Sequence, residues 1–168
     1  MKNIRLAFAL FFLGVGIHAQ EGFKLGFQAG LPFNDFNNEV SVVVALDVGY
    51  VWTPAEFLDL GIMTGFVNGF SESFHSDVVL TDLPNVQFIP VAGSVRVWPS
   101  NSFSLGIEAG QALGINKDNE GGLYLRPLMG YLMGPKTEVN VSYTTIQLDN
   151  KSWSTVTLGL LYTFKSDW

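Results

Sequence analysis

Residues 23–31 read FKLGFQAGL, and apolar side chains occupy every second position of this stretch. The odd-numbered positions carry Phe23, Leu25, Phe27, Ala29 and Leu31. The even-numbered positions carry Lys24, Gly26, Gln28 and Gly30. A helix would scatter these apolar side chains around its axis, whereas an extended strand gathers them on one face. The stretch therefore predicts a β-strand with one apolar and one polar face.

The same period of two continues through the rest of the chain. Eight runs show it, at residues 23–31, 40–52, 58–67, 86–98, 103–112, 123–133, 137–147 and 153–164. Each run has about ten residues or slightly more, which is the length of a tilted strand that crosses a bilayer. Short turns such as PSNS at 99–102 alternate with more varied connections, the longest at 68–85. The pattern predicts an all-β fold, an eight-stranded antiparallel up-and-down transmembrane β-barrel.

The composition agrees with a membrane barrel. Charged residues make up 14% of the 168 residues, against roughly 25% in soluble domains. Aromatic residues cluster at the ends of the runs, where membrane barrels carry interfacial girdles. They are Tyr50, Trp52, Phe57, Trp98, Phe103, Tyr162 and Phe164. The chain has no cysteine, which excludes disulfides and thiol nucleophiles.

Residues 1–20 have the pattern of a cleavable signal peptide. Lys2 and Arg5 precede an apolar run over 6–17, and Ala19 supplies a small residue near the expected cleavage site. The predicted barrel domain is then 21–168. Without Lys2 and Arg5, seven of the nine basic residues remain against 15 acidic residues, a net charge of −8. So acidic a chain predicts no nucleic-acid partner.

Seven charged residues fall on the polar face of the runs and are expected to line a narrow lumen. They are Lys24, Asp47, Asp59, Arg96, Glu108, Arg126 and Glu138. Buried charges need partners, and three bases against four acids allow pairing. We expect Asp47, Glu108 and Arg126 to meet near mid-depth. We expect Lys24, Asp59, Arg96 and Glu138 to meet toward the periplasmic end, so that the network plugs the lumen.

The last run contains TLGLLYTF at 157–164. Its Thr157, Gly159, Tyr162 and Phe164 resemble the C-terminal assembly signal of outer-membrane barrels, although KSDW at 165–168 follows Phe164. Together with the strand count, residues 21–164 resemble the small outer-membrane barrel families that include the OmpA transmembrane domain and OmpX. The resemblance implies an outer-membrane location, contact with outer-membrane lipid and insertion by the barrel-assembly machinery. It implies no catalytic residue.

The sequence predicts no catalytic residue, cofactor or metal site. A lipid-modifying enzyme needs a histidine beside a serine and an acid, and only His75, in the 68–85 connection, remains after removal of His18. The favoured function is a non-enzymatic envelope protein, structural or binding a surface ligand or protein through its outer loops, especially 68–85. One alternative is a soluble secreted barrel that carries a ligand, which requires the apolar face to point inward. A lipid-modifying outer-membrane enzyme is a second and less favoured alternative.

Overall fold

The computed structural model describes residues 21–71, 74–76, 79–81, 85–116, 119–149 and 151–164. Within these ranges the chain forms ten strands: β1 Gly22–Asn34, β2 Val40–Ala55, β3 Leu58–Ser71, β4 Phe74–Ser76, β5 Val79–Thr81, β6 Val86–Val97, β7 Phe103–Gly114, β8 Gly122–Leu132, β9 Thr137–Gln147 and β10 Ser152–Phe164. In the same ranges no helix has the length and apolar character needed to cross a membrane. The predicted signal peptide, residues 1–20, lies outside the described residues.

Eight of the strands close into one antiparallel barrel, in the order β1-β10-β9-β8-β7-β6-β3-β2. Closure is made by β1 and β10, which pair from Phe23 with Phe164 to Asn34 with Trp153. The predicted eight-stranded antiparallel β-barrel is thereby confirmed. Within the 68–85 connection, β4 and β5 form a separate two-stranded sheet rather than extending the barrel strands.

The two ends of the barrel differ in their connections. At the turn end, where β1 begins and β10 ends, the connections are residues 56–57, 98–102 and 133–136. At the loop end they are residues 35–39, 72–85, 115–121 and 148–151. This asymmetry matches the short periplasmic turns and longer outer loops of bacterial membrane barrels.

Alternating burial follows the sequence pattern along most strands, but the start of β2 is an exception. The alternation predicts Val40 on the outward face and Ser41 on the inward face; the structure buries Val40 and exposes Ser41. A register shift between Val40 and Val42, opposite β3, reverses the faces at this point. A β-bulge adds one residue to a strand, and each added residue moves the following side chains to the other face.

Trp98 also departs from the prediction. It was expected in the outer aromatic girdle, but its side chain is buried inside the turn end of the barrel. Trp98 lies immediately after β6 and continues the inward series of Ser94 and Arg96. Trp52 on β2, another predicted girdle residue at the same end, does face outward.

Candidate functional site

The outer wall of the barrel is apolar and the inner wall carries the charge. All seven charged residues within the eight barrel strands are buried, whereas large apolar side chains such as Ile62, Leu158 and Leu160 are exposed on the outside. The other charged residues that the structure describes lie in the connections, apart from Glu21, which directly precedes β1. A soluble barrel has the opposite arrangement, so this structure does not fit the soluble alternative.

Arg126 holds together a central cluster in the lumen. Its two terminal nitrogens donate to the two carboxylate oxygens of Asp47, at 3.1 and 2.9 Å. Its Nε lies 3.0 Å from Oε2 of Glu108. Gln28 donates to Asp47 at 2.9 Å, and the hydroxyl of Tyr124 donates to Glu108 at 3.3 Å. One guanidinium thus faces two carboxylates, a geometry in which the planar donor fork binds strongly.

A second cluster lies toward the turn end. Arg96 Nη1 is 2.5 Å from Oε1 of Glu138, and Lys24 Nζ is 4.0 Å from Oε2 of the same carboxylate. Glu138 therefore stands between two buried cations, and both ion pairs are almost fully excluded from solvent.

Asp59 lies beside this second cluster but its hydrogen bonds go elsewhere. Its backbone pairs with that of Arg96, yet its carboxylate accepts hydrogen bonds from Trp98 Nε1 and Thr53 Oγ1, each at 2.8 Å. We expected Asp59 to meet Lys24, Arg96 and Glu138. Its carboxylate instead accepts hydrogen bonds from two neutral donors at the barrel rim. Sequence reasoning missed Trp98 because it was assigned to the lipid interface.

Glycines on the inner wall make room for these long side chains. A Cβ atom at Gly130 would collide with the carboxylate of Glu138 and with Ser104 Oγ. A Cβ at Gly69 would collide with the ring of Trp153. The lumen of an eight-stranded barrel is only wide enough to be filled by side chains. Glycine at some inward positions therefore leaves room for a large side chain at a neighbouring position.

An apolar cap fills the lumen at the loop end, and the sequence analysis did not predict it. We define the apolar cap as Phe36, Val40, Phe88, Tyr124, Ile146 and Trp153, all buried members of one cluster. The ring of Trp153 packs edge-on against Phe36 and Phe88, with centroid distances of 5.1 and 5.4 Å. A sequence signal existed: Phe88, Tyr124 and Trp153 have the same parity as the inward residues of their strands.

Phe36 reaches the apolar cap from the first loop rather than from a strand. Asp35 accepts a hydrogen bond from the backbone N–H of Ser152 at 2.8 Å, and Glu39 pairs with Lys151 at 2.6 Å. The Lys151 ammonium also lies 5.3 Å from the centroid of the Phe36 ring. The loop at 35–39 is therefore folded over the barrel mouth and tied to the start of β10.

The four residues of the predicted assembly signal all lie on β10. Thr157 is buried inside the barrel, and Gly159 pairs with Gln28 on the inner wall. Tyr162 and Phe164 face outward at the turn end, with ring centroids 4.8 Å apart. The overhang at 165–168 lies outside the described residues.

Metal-binding side chains do not cluster within the ranges that the structure describes. No group of three or more His, Asp or Glu side chains there could hold a metal ion. The two histidines of the chain are His18 and His75. His75 belongs to β4, which is not a barrel strand, and His18 lies outside the described residues.

A closed antiparallel barrel of eight strands, apolar outside and charged inside, defines the fold of a small outer-membrane β-barrel. Three similar solved structures have this fold. The attachment invasion locus protein Ail of Yersinia pestis is 14% identical, over 88% of this chain and 100% of that chain, with a TM-score of 0.61. Ail in complex with the heparin analogue sucrose octasulfate is 18% identical over the same shares, with a TM-score of 0.53. Neisserial surface protein A is 11% identical, again over 88% and 100%, with a TM-score of 0.51.

These likenesses establish the fold, since the identities are low. The predicted resemblance to small outer-membrane barrels is thus confirmed at the level of architecture, and the shared fold supports the predicted outer-membrane location. No protein-family model matches the chain, and no curated protein sequence does.

Proposed function

We propose that this chain is a non-enzymatic outer-membrane protein whose lumen is plugged by paired charges, and which is structural or binds through its outer loops. The observation that carries the proposal is the inversion of the barrel: every charged residue of its strands is buried and its outer wall is apolar. In water such a wall would be an aggregation surface. In a bilayer it meets hydrocarbon, and barrel closure satisfies the backbone hydrogen bonds.

The proposed route to the membrane begins with the signal peptide at 1–20 and ends with insertion by the barrel-assembly machinery. Residues 157–164 supply an apolar strand with Tyr162 and Phe164 near its end, which suits recognition by strand addition. Once the barrel has closed, this strand is fully paired between β1 and β9. Outer-membrane lipid is the partner of the finished barrel.

The paired charges support a plug rather than a channel. The central cluster fills the lumen at Arg126, and the second cluster fills it at Glu138. An eight-stranded barrel has an interior that side chains can fill. No histidine lies in the barrel strands to act as a general base in a lipid-modifying reaction.

Fractionation and gel mobility test this function. The full chain is expressed in a Gram-negative host, and the outer-membrane fraction is run on a gel with and without boiling. We expect the protein in that fraction, with a mobility that shifts on heating. A soluble periplasmic or secreted product with no shift would overturn the proposal.

The separate sheet of β4 and β5 favours the binding role over a purely structural one. It lies in the longest connection at the loop end and pairs with no barrel strand, and long loops on a rigid scaffold commonly carry binding function. The Ail structure with sucrose octasulfate shows a sulfated ligand on a protein of this fold. The loop-end connections here contain eight acidic residues and two lysines, which favours a neutral or cationic ligand.

Replacement of residues 72–84 by an Asn-Gly turn separates the two roles. The gene is deleted in its host, and either the full chain or the shortened chain is restored. If the protein is structural, both chains restore the barrier of the outer membrane to a large antibiotic. If the protein binds through this loop, only the full chain restores the original phenotype.

A further inference from the structure

We infer that the apolar cap, closed by the loop at 35–39, is the seal that keeps water and small ions out of the lumen at the loop end. This inference rests on the proposed membrane-barrel function and refines it. In this view the paired charges of the network balance one another and fill the lumen, while the apolar cap excludes solvent at the loop end. The loop at 35–39 acts as the lid of that seal.

The inner wall beneath the apolar cap is hydrophilic along β9. Its inward side chains from the loop end downward are all polar: Thr144, Ser142, Asn140 and Glu138. On β10 the inward residues below Trp153 begin with Thr155 and Thr157, and Thr157 exchanges a hydrogen bond of 2.7 Å with Ser142. Hydroxyl, amide and charged groups can all be hydrated, so this wall does not exclude water by itself.

The rings of the cap interrupt that hydrophilic wall. Trp153 lies directly above Thr155 on the inner face of β10 and pairs with Ile146 on β9. Phe88 packs against Trp153 from the opposite part of the barrel, and Phe36 closes the remaining side. Phe36 and Phe88 offer water no hydrogen-bond partner, and the indole nitrogen of Trp153 is buried without one, so close contact among the three rings leaves a dry layer.

Phe36 can leave this layer without breaking any pairing between barrel strands. It lies in the first loop, where Asn34 at the end of β1 has a φ of 59° that turns the chain across the mouth. Asn is one of the residues that adopts this conformation readily. Backbone hydrogen bonds from Glu39 and Val40 to the carbonyl of Phe36, of 3.1 and 3.0 Å, shape the loop.

Two contacts at the rim hold the lid closed. The Asp35 carboxylate accepts from the Ser152 backbone, and Glu39 pairs with the Lys151 ammonium. The Glu39–Lys151 pair is roughly half exposed on both sides, so salt screens it readily. Burial of the Phe36 ring, which is 4% exposed, is the main force that closes the lid.

Thiol labelling in the intact barrel tests the seal, because the chain has no cysteine of its own. Thr155→Cys places one thiol on the inner wall directly beneath Trp153, and Thr144→Cys, at the paired position on β9, serves if the first variant does not fold. A water-soluble methanethiosulfonate reagent is added to the outside of proteoliposomes. We expect slow labelling of Thr155→Cys and labelling about tenfold faster or more when Phe36→Ala is added.

Two matched variants give this result its meaning. Phe33→Ala removes a ring that is 45% exposed on the outer wall near the same loop, and it should leave labelling slow. Asp47→Asn weakens the central cluster beneath the cap, and it too should leave labelling slow. Equal labelling rates with and without Phe36→Ala would overturn the inference, as would fast labelling in the Asp47→Asn variant alone.

The heat-induced mobility shift is measured on every sample. Samples that shift have a folded barrel, so their labelling rates test the cap alone. If no sample shifts, including the parent chain, the membrane-barrel function fails instead.

Discussion

The indole nitrogen of Trp98 donates a hydrogen bond of 2.8 Å to Asp59, and both side chains are buried at the turn end of the lumen. The other carboxylate oxygen of Asp59 accepts from Thr53. A buried acid is thus held by a neutral aromatic donor and a hydroxyl, beside the cluster of Lys24, Arg96 and Glu138 rather than in ion-pair contact with it.

Trp98→Phe is expected to destabilise the barrel by about 1–3 kcal/mol, since it leaves a buried carboxylate with one donor fewer. Urea unfolding in phospholipid vesicles measures the change. Trp52→Phe is the matched control, because Trp52 lies at the same end but faces outward. If the two variants lose the same free energy of unfolding, the hydrogen bond from Trp98 to Asp59 contributes nothing to stability.

Arg126→Met is expected to cost about 3–5 kcal/mol, because it leaves Asp47 and Glu108 as uncompensated buried charges. Lys136→Met, at an exposed turn position, removes a cation without this effect and should change the unfolding free energy little. The triple variant Arg126→Met, Asp47→Asn and Glu108→Gln should regain much of the lost stability, since it removes the charges together. A triple variant no more stable than Arg126→Met would contradict a cluster held by charge pairing.

Leu158→Arg is expected to destabilise the barrel in a bilayer by about 2–4 kcal/mol, the cost of a cation near the midplane. Leu158 lies at the middle of β10 and is 60% exposed on the outer wall. Leu123→Arg, near the loop end of β8 and 61% exposed, should cost about 0–1 kcal/mol because it can reach the interface. Equal costs for the two variants in vesicles would mean that the outer wall does not meet hydrocarbon.

The protein is expected to pass through a heparin column without retention at low salt. The loop-end connections carry eight acids and two lysines, and like charges repel the sulfated polymer. Substitution of Glu72, Asp77, Asp82 and Asp118 by lysine reverses this balance and should produce retention. Retention of the unaltered chain would argue for a local basic site that the overall charge conceals.

Tyr162→Ala with Phe164→Ala is expected to lower the yield of heat-modifiable protein in the outer membrane of expressing cells. The two rings stand at the end of β10, where strand addition by an assembly machine would begin. Tyr131→Ala removes an outward ring at the same end of β8 and serves as the control. If both variants accumulate equally, residues 157–164 are a membrane strand and carry no assembly signal.

Much of the fold could be predicted from the sequence, because the bilayer makes simple demands on it. Every second residue of a transmembrane strand must be apolar, so the strand number, the approximate strand limits and the inward position of Lys24 and Arg126 were all readable. Loop length distinguished the two ends of the barrel. Parity also placed Phe88 and Trp153 on the inner wall, although that signal was not used.

The choice of partners inside the lumen required the tertiary structure. The bulge near the start of β2 turns Val40 inward and Ser41 outward, the reverse of the expected faces, and no local sequence pattern marks it. Asp59 accepts a hydrogen bond from Trp98 because the register of β3 against β6 brings the start of β3 beside the end of β6.

By itself, the sequence determined for most strand positions which side chains face outward and which face the lumen, because that choice depends on position along each strand; the bulged start of β2 is an exception. The tertiary structure alone decided which inward side chains meet, and that Phe36 leaves its loop to pack on Trp153 at the mouth. Such contacts depend on how far each strand is staggered against the next around the closed barrel, and on how a loop folds over its opening. Neither quantity is encoded in the alternation of a single strand.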